Sequence, residues 1–157
     1  MNFNVGDIFK WNNFPDPRIG TTIKPRWFIY LGETGYLSQI QFLYLSTTTT
    51  QIQDFQPGGK RSSHDKFTFK KSNFPFFEED CIIDFDEQIF SVPKTKIQEK
   101  KDDIEMMGNL NIDMLRMIYK RLLKSPYCAP MVLNDIHESF NRAGITQLKK
   151  PKLGQKR

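Results

Sequence analysis

The sequence predicts a small, mainly β fold: five or six short strands forming a small barrel, followed by C-terminal helices. Three observations carry that reading. Trp27–Leu31 is an uninterrupted apolar run, β-branched and aromatic, closed by Gly32, as expected of a strand buried on both faces rather than a helix. Further short runs, separated by Gly, Pro, Asn and Asp, continue as far as Pro93. After Lys94 the chain turns highly charged and then takes up helical spacing.

Val5–Trp11 is the first expected strand, with Val5, Ile8 and Phe9 as its apolar content. Asn12–Lys24 is a loop, because Pro15, Pro17 and Gly20 forbid regular structure. The core strand Lys24–Leu31 follows, then a turn at Gly32–Gly35 and a strand over Gln39–Thr47 that runs into the threonines Thr47–Thr50. If these two strands are antiparallel neighbours, Arg26 at the start of one and Ser46 or Thr47 at the end of the other share one rim of the sheet. Thr47–Ser63 reads as a second polar loop, and Asp65–Lys71 alternates as a half-buried strand should. Asp80–Phe85 and Ile89–Pro93 complete the strands. Asn111 is a natural N-cap for a helix carrying Leu115, Ile118 and Leu122 on one face and ended by Pro126. A second helix is expected near Val132–Ala143, with Leu133, Ile136 and Phe140 at helical spacing and Gly144 as its stop.

A chain of 157 residues suits one domain with an appendage. The boundaries expected are a domain over residues 1–125, a helical extension packed outside it over 126–148, and a mobile basic tail over 149–157. That tail holds Lys149, Lys150, Lys152, Lys156 and Arg157 and no acid, so it accounts for the whole net charge of +5. The rest of the chain is neutral, so the high isoelectric point of about 9.2 belongs to the tail and does not by itself argue for a basic groove on the folded domain. Within it, Lys60–Lys71 is rich in bases and Glu78–Glu87 rich in acids. Cys81 and Cys128 lack the spacing of a zinc site or disulfide framework, and His64 and His137 lie in different segments. No stretch approaches a membrane span, and the first residues lack the pattern of a secretory signal, so a cytoplasmic chain with reduced thiols is expected. The motifs for nucleotide phosphates, for a serine nucleophile elbow and for the zinc HExxH helix are absent, and nothing in the spacing supports a Cys–His nucleophilic pair.

One resemblance stands beside these readings. V-G-D-I-F-K-W at 5–11, K-P-R-W-F-I-Y-L-G at 24–32 and F-L-Y-L-S-T-T at 42–48 resemble the opening strands of the PemK/MazF-like toxins. E-Q-I-F-S-V-P-K-T-K-I at 87–97 and G-N-L-N-I-D-M-L-R-M-I-Y-K-R-L-L at 108–123 are similar to the strand, turn and closing helix of that family. The resemblance covers about residues 4–124, in order. It implies an SH3-like barrel, a homodimer, an antitoxin partner and cleavage of single-stranded RNA without metal or other cofactor.

Carried over by position, Arg26 would hold the reacting phosphate, Thr47 (or Ser46 or Thr48) would supply a hydroxyl, and Glu87 would be the acidic site residue. Arg18, Lys24, Thr48, Gln51, Lys60, Arg61 and Lys66 would bind RNA. The chain departs from the family pattern at Trp27, where proline is usual, and at Phe90, where arginine is common. The acid/base pair often found before the arginine is also replaced, by a segment containing Gly20 and Thr21. These departures favour a second reading, a non-catalytic module of the same fold that binds RNA or protein. A third is an unrelated small β-barrel interaction domain.

Overall fold

Alternation along three central strands decides where the two cores lie. The computed structural model describes residues 1–15, 24–35 and 38–152. In it β1 (Asp7–Trp11), β2 (Arg26–Glu33) and β3 (Phe42–Thr49) pair antiparallel, with Phe9 opposite Phe28 and Phe28 opposite Thr47. Successive side chains point to opposite faces. Phe9, Trp11, Phe28, Tyr30, Leu43 and Leu45 therefore enter one apolar cluster, while Ile8, Ile29, Leu31 and Tyr44 enter another. The uninterrupted run of β2 is thus buried on both faces, as its composition requires.

Four more strands extend this unit: β4 (Lys66–Phe69), β5 (Cys81–Asp84), β6 (Phe90–Pro93) and β7 (Ile104–Asn109). The order is β4-β5-β3-β2-β1-β7, with β6 pairing the first half of β3. Every pairing is antiparallel. Among the described residues β4 and β7 do not pair, so the seven-stranded sheet is open rather than closed into the expected barrel.

The first cluster is covered by Phe90 and Val92 of β6, Ile104 of β7 and Ile97 of the short helix α1 (Lys94–Glu99). Aromatic rings fill its centre, with Phe14 tilted by 60° against Phe28 at 4.7 Å and Phe90 edge-on to Phe28 at 5.6 Å. The second cluster is covered by Phe69, Phe77, Ile83 and Phe85 and by two helices, α2 (Ile112–Lys124) and α3 (Pro130–Arg142). Asn111 caps α2, its Oδ1 accepting from Met114 N at 2.9 Å, and Leu115, Ile118, Tyr119 and Leu122 form the buried face. At the end of α3, Ile145 N donates to the Phe140 carbonyl and Gly144 N to the Asn141 carbonyl. Gly144 has φ +86°, which a side chain would oppose.

No break in packing falls at Ser125. Leu133, Ile136 and Phe140 of α3 are buried in the same cluster as Ile29 and Leu31, so α3 belongs to the core and not to an outer layer. The basic tail is likewise anchored at its start. Tyr119 Oη donates to the Lys149 carbonyl at 2.5 Å, and His137 Nε2 donates to the Leu148 carbonyl at 3.2 Å. The charged stretch after Pro93 is also structured, giving α1, a 3₁₀ turn over Lys101–Asp103 and then β7 on the outer edge of β1.

Candidate functional site

Antiparallel pairing brings the start of β2 beside the end of β3, and that junction forms a cavity of about 620 Å³. Arg26 opens β2, and Thr47, Thr48 and Thr49 close β3. Arg26 shares the face of Phe28, and Thr47 is the register partner of Phe28, so both project from one side of the sheet. The Thr47 hydroxyl donates to the Trp27 carbonyl at 3.1 Å, which ties the two strands at the rim.

Around this pair the cavity gathers Lys24, Thr50, Gln51 and Arg61, the aromatic rings of Trp27, Phe77 and Phe90, and the carboxylates of Glu78, Glu79 and Glu87. Three cations thus face three acids. The cavity as a whole therefore carries no net positive field. Burial pushes the Arg26 guanidinium down from its ordinary value, while the nearby Glu87 carboxylate acts in the opposite direction. An arginine starts so high that it stays charged at neutral pH.

Arg61 is held in place from behind. Its Nη1 lies 3.5 Å from Asp84 Oδ2 and 4.0 Å from Glu87 Oε2, and its guanidinium sits 5.8 Å from the centre of the Phe55 ring. The Asp84 carboxylate is buried and also accepts from Asp86 N at 2.9 Å, with His64 Nδ1 at the same distance from its other oxygen. Glu78 is engaged by Lys10 at 2.8 Å. Cys81 lines the cavity too, and burial pushes its thiol up to about 12 against the opposing hydrogen bond from Thr48. It is therefore protonated at neutral pH and unsuited to act as a nucleophile there.

Of the residues expected to be catalytic, Arg26, Thr47 and Glu87 line this one cavity, and Ser46 does not. Ser46 is opposite Ile29, on the other face of the sheet, and is buried there. Of the expected RNA contacts, Lys24, Thr48, Gln51 and Arg61 line the cavity. Lys60 instead reaches Asp54 at 3.8 Å, and Lys66 sits 5.9 Å from the centre of the Phe55 ring. Arg18, Gly20 and Thr21 lie outside the described residues. Phe90, at the position where the resemblance leads one to expect arginine, is a buried aromatic that packs on Phe14 and Phe28.

No family model, curated protein or solved structure matches this chain. The likeness to the PemK/MazF-like toxins therefore rests on the quoted sequence motifs, and the chemistry of the site on its own residues.

The carboxylates Glu78 and Glu79 were not anticipated as cavity residues. A usable signal precedes them: Phe76 and Phe77 pack against the core, which forces the next two residues to its border. His64 and Asp84 carry no such signal, since they meet only through the fold. Among the described residues no three His, Cys, Asp or Glu side chains converge to hold a metal ion, and no helix is long and apolar enough to cross a membrane.

Proposed function

We propose that the chain is an endoribonuclease that cleaves single-stranded RNA without a metal ion. The observation that carries this reading is the convergence of Arg26, Thr47 and Glu87 on one cavity. The ribose 2′-hydroxyl attacks the adjacent phosphorus and the P–O5′ bond breaks, leaving a 2′,3′-cyclic phosphate and a 5′-hydroxyl. Arg26 holds the phosphate oxygens through charge-assisted bonds that strengthen as charge builds on the phosphorane. Glu87 accepts the proton of the 2′-hydroxyl, and solvent returns one to the departing 5′-oxygen. The Thr47 hydroxyl turns its one proton from the Trp27 carbonyl to a phosphate oxygen and, with Thr48, orients the phosphate, and half-buried Trp27 offers an aromatic surface on which a flanking base stacks. The sequence resemblance adds a homodimer and an antitoxin that restrains the enzyme.

A second reading, a non-catalytic module that binds RNA or protein, draws support from Phe90, a buried aromatic at the position where the resemblance leads one to expect arginine. The two separate in one experiment. End-labelled RNA of mixed sequence is incubated with the protein in excess chelator, and the fragment ends are analysed. Cyclic-phosphate ends support the nuclease. Intact RNA that is nevertheless retained by the protein supports the binding module.

A further inference from the structure

We propose that a second groove, on the helical side of the molecule, binds an acidic peptide segment carrying an apolar anchor residue. The groove encloses about 340 Å³ between the end of α2, the start of α3 and the chain at Lys149–Lys152. That volume falls within the range of side-chain and small-ligand pockets. Its floor is apolar, formed by Leu123, Pro126, Cys128 and Leu133, and its rim carries Lys149, Lys150 and Lys152 with no acid among the lining residues.

The groove is built into the fold. Pro126 stops α2, and Pro130 restarts the chain as the first residue of α3, so the intervening turn cannot fold down as helix over the floor. The chain leading into these lysines is anchored: Tyr119 Oη holds the Lys149 carbonyl, His137 holds the Leu148 carbonyl, and Arg116 Nη1 donates to the Thr146 carbonyl at 2.7 Å. Tyr127 and Met131, beside the groove in sequence, leave 54% and 67% of their surface exposed.

The chemistry selects the occupant. A cationic rim favours carboxylates, and an apolar floor favours a Leu- or Phe-like side chain over a hydrated phosphate backbone. RNA fits the groove poorly, because no aromatic ring lines it and single-stranded bases bind by stacking. This site is independent of the cavity at Arg26.

The test uses the full chain and a short fluorescein-labelled peptide in which a Leu-Phe pair is flanked by Asp and Glu. Comparison peptides replace the acids with Lys or the Leu-Phe pair with Ser, and oligouridine serves as the RNA. The acidic peptide should bind by anisotropy, more weakly as salt rises, and should slow alkylation of Cys128 read by mass spectrometry. The variant Lys149→Glu/Lys150→Glu/Lys152→Glu should bind it at least about tenfold more weakly with an unchanged melting temperature. Both comparison peptides should bind less well than the parent. The proposal is overturned if the acidic peptide fails to bind, if the triple variant binds it equally, or if oligouridine protects Cys128 better than the peptide does.

Discussion

Gly32 lies so close to Ser139 that a Cβ on residue 32 would come within 2.5 Å of the Ser139 Oγ. The same hydroxyl accepts from Glu33 N at 3.1 Å, so α3 is seated on β2 by a close approach and a hydrogen bond together. The pairing register shifts between Tyr30 and Gly32, and Gly32 adopts φ +147°, a conformation side chains oppose. Gly32→Ala should therefore cost roughly 2–4 kcal/mol from overpacking and backbone strain. Thermal melting checks this, and an unchanged melting temperature would show that α3 does not sit here.

A chain ending at Ser125 should fail to fold cooperatively. It loses Leu133, Ile136 and Phe140, each buried against the sheet. At roughly 1.5–3 kcal/mol for each such side chain, the loss rivals the whole stability of a domain. A sharp melting transition in the truncated chain would make α3 an accessory.

Thr47→Val keeps the shape of the side chain and removes the hydroxyl that donates to the Trp27 carbonyl. The expected structural loss is about 1 kcal/mol. RNA cleavage should slow by about tenfold or less, because Thr48 is at hand in the same cavity. A variant with the full wild-type rate assigns the Thr47 hydroxyl to strand pairing alone.

Stability should fall in alkali partly through Cys81. An unfolded thiol ionises near 9.0, whereas burial in the fold pushes Cys81 up to about 12. Between those values the unfolded chain holds fewer protons than the folded one, so stability is complete below pH 9 and declines as pH rises toward 12. The slope contributed approaches about 1.4 kcal/mol per pH unit. Denaturant melts of wild type and Cys81→Ala across this window should show a shallower decline in the variant, and parallel declines would remove Cys81 as a contributor.

What was legible in the sequence was whatever a local pattern encodes. The aromatic run at Trp27–Leu31, the alternation at Asp65–Lys71 and the Asn111 cap each place an element to within a few residues of its observed bounds. The strand β7 reads I-E-M-M-G-N and buries only Ile104 fully, so no alternation announces it. Helix α1 likewise buries only Ile97 amid charge. Both form because a neighbour offers an edge or a pocket, which is tertiary information. The rim shared by Arg26 and Thr47 was legible because antiparallel neighbours place a start beside an end. The same alternation sends Ser46 to the opposite face, a consequence available from the sequence once the register is fixed. The open path of the sheet, the seating of α3 and the His64–Asp84–Arg61 contact depend on distant segments meeting, and no local signal encodes them.

In the proposed reaction, Arg26 stabilises the transition state of RNA cleavage. Losing such a donor costs on the order of a hundred- to a thousand-fold in rate, roughly 3–4 kcal/mol. Arg26→Lys should recover little of it, because an ammonium lacks the bidentate fork of guanidinium. The most direct measurement is a single-turnover time course on mixed-sequence RNA in chelator, comparing wild type, Arg26→Ala and Arg26→Lys, with melting temperature recorded for each. Wild type should yield cyclic-phosphate ends, and Arg26→Ala should lose at least about a hundredfold in rate at a nearly unchanged melting temperature. Wild-type protein that yields no cyclic-phosphate ends, or an Arg26→Ala variant that cleaves at the wild-type rate, would contradict this role of Arg26.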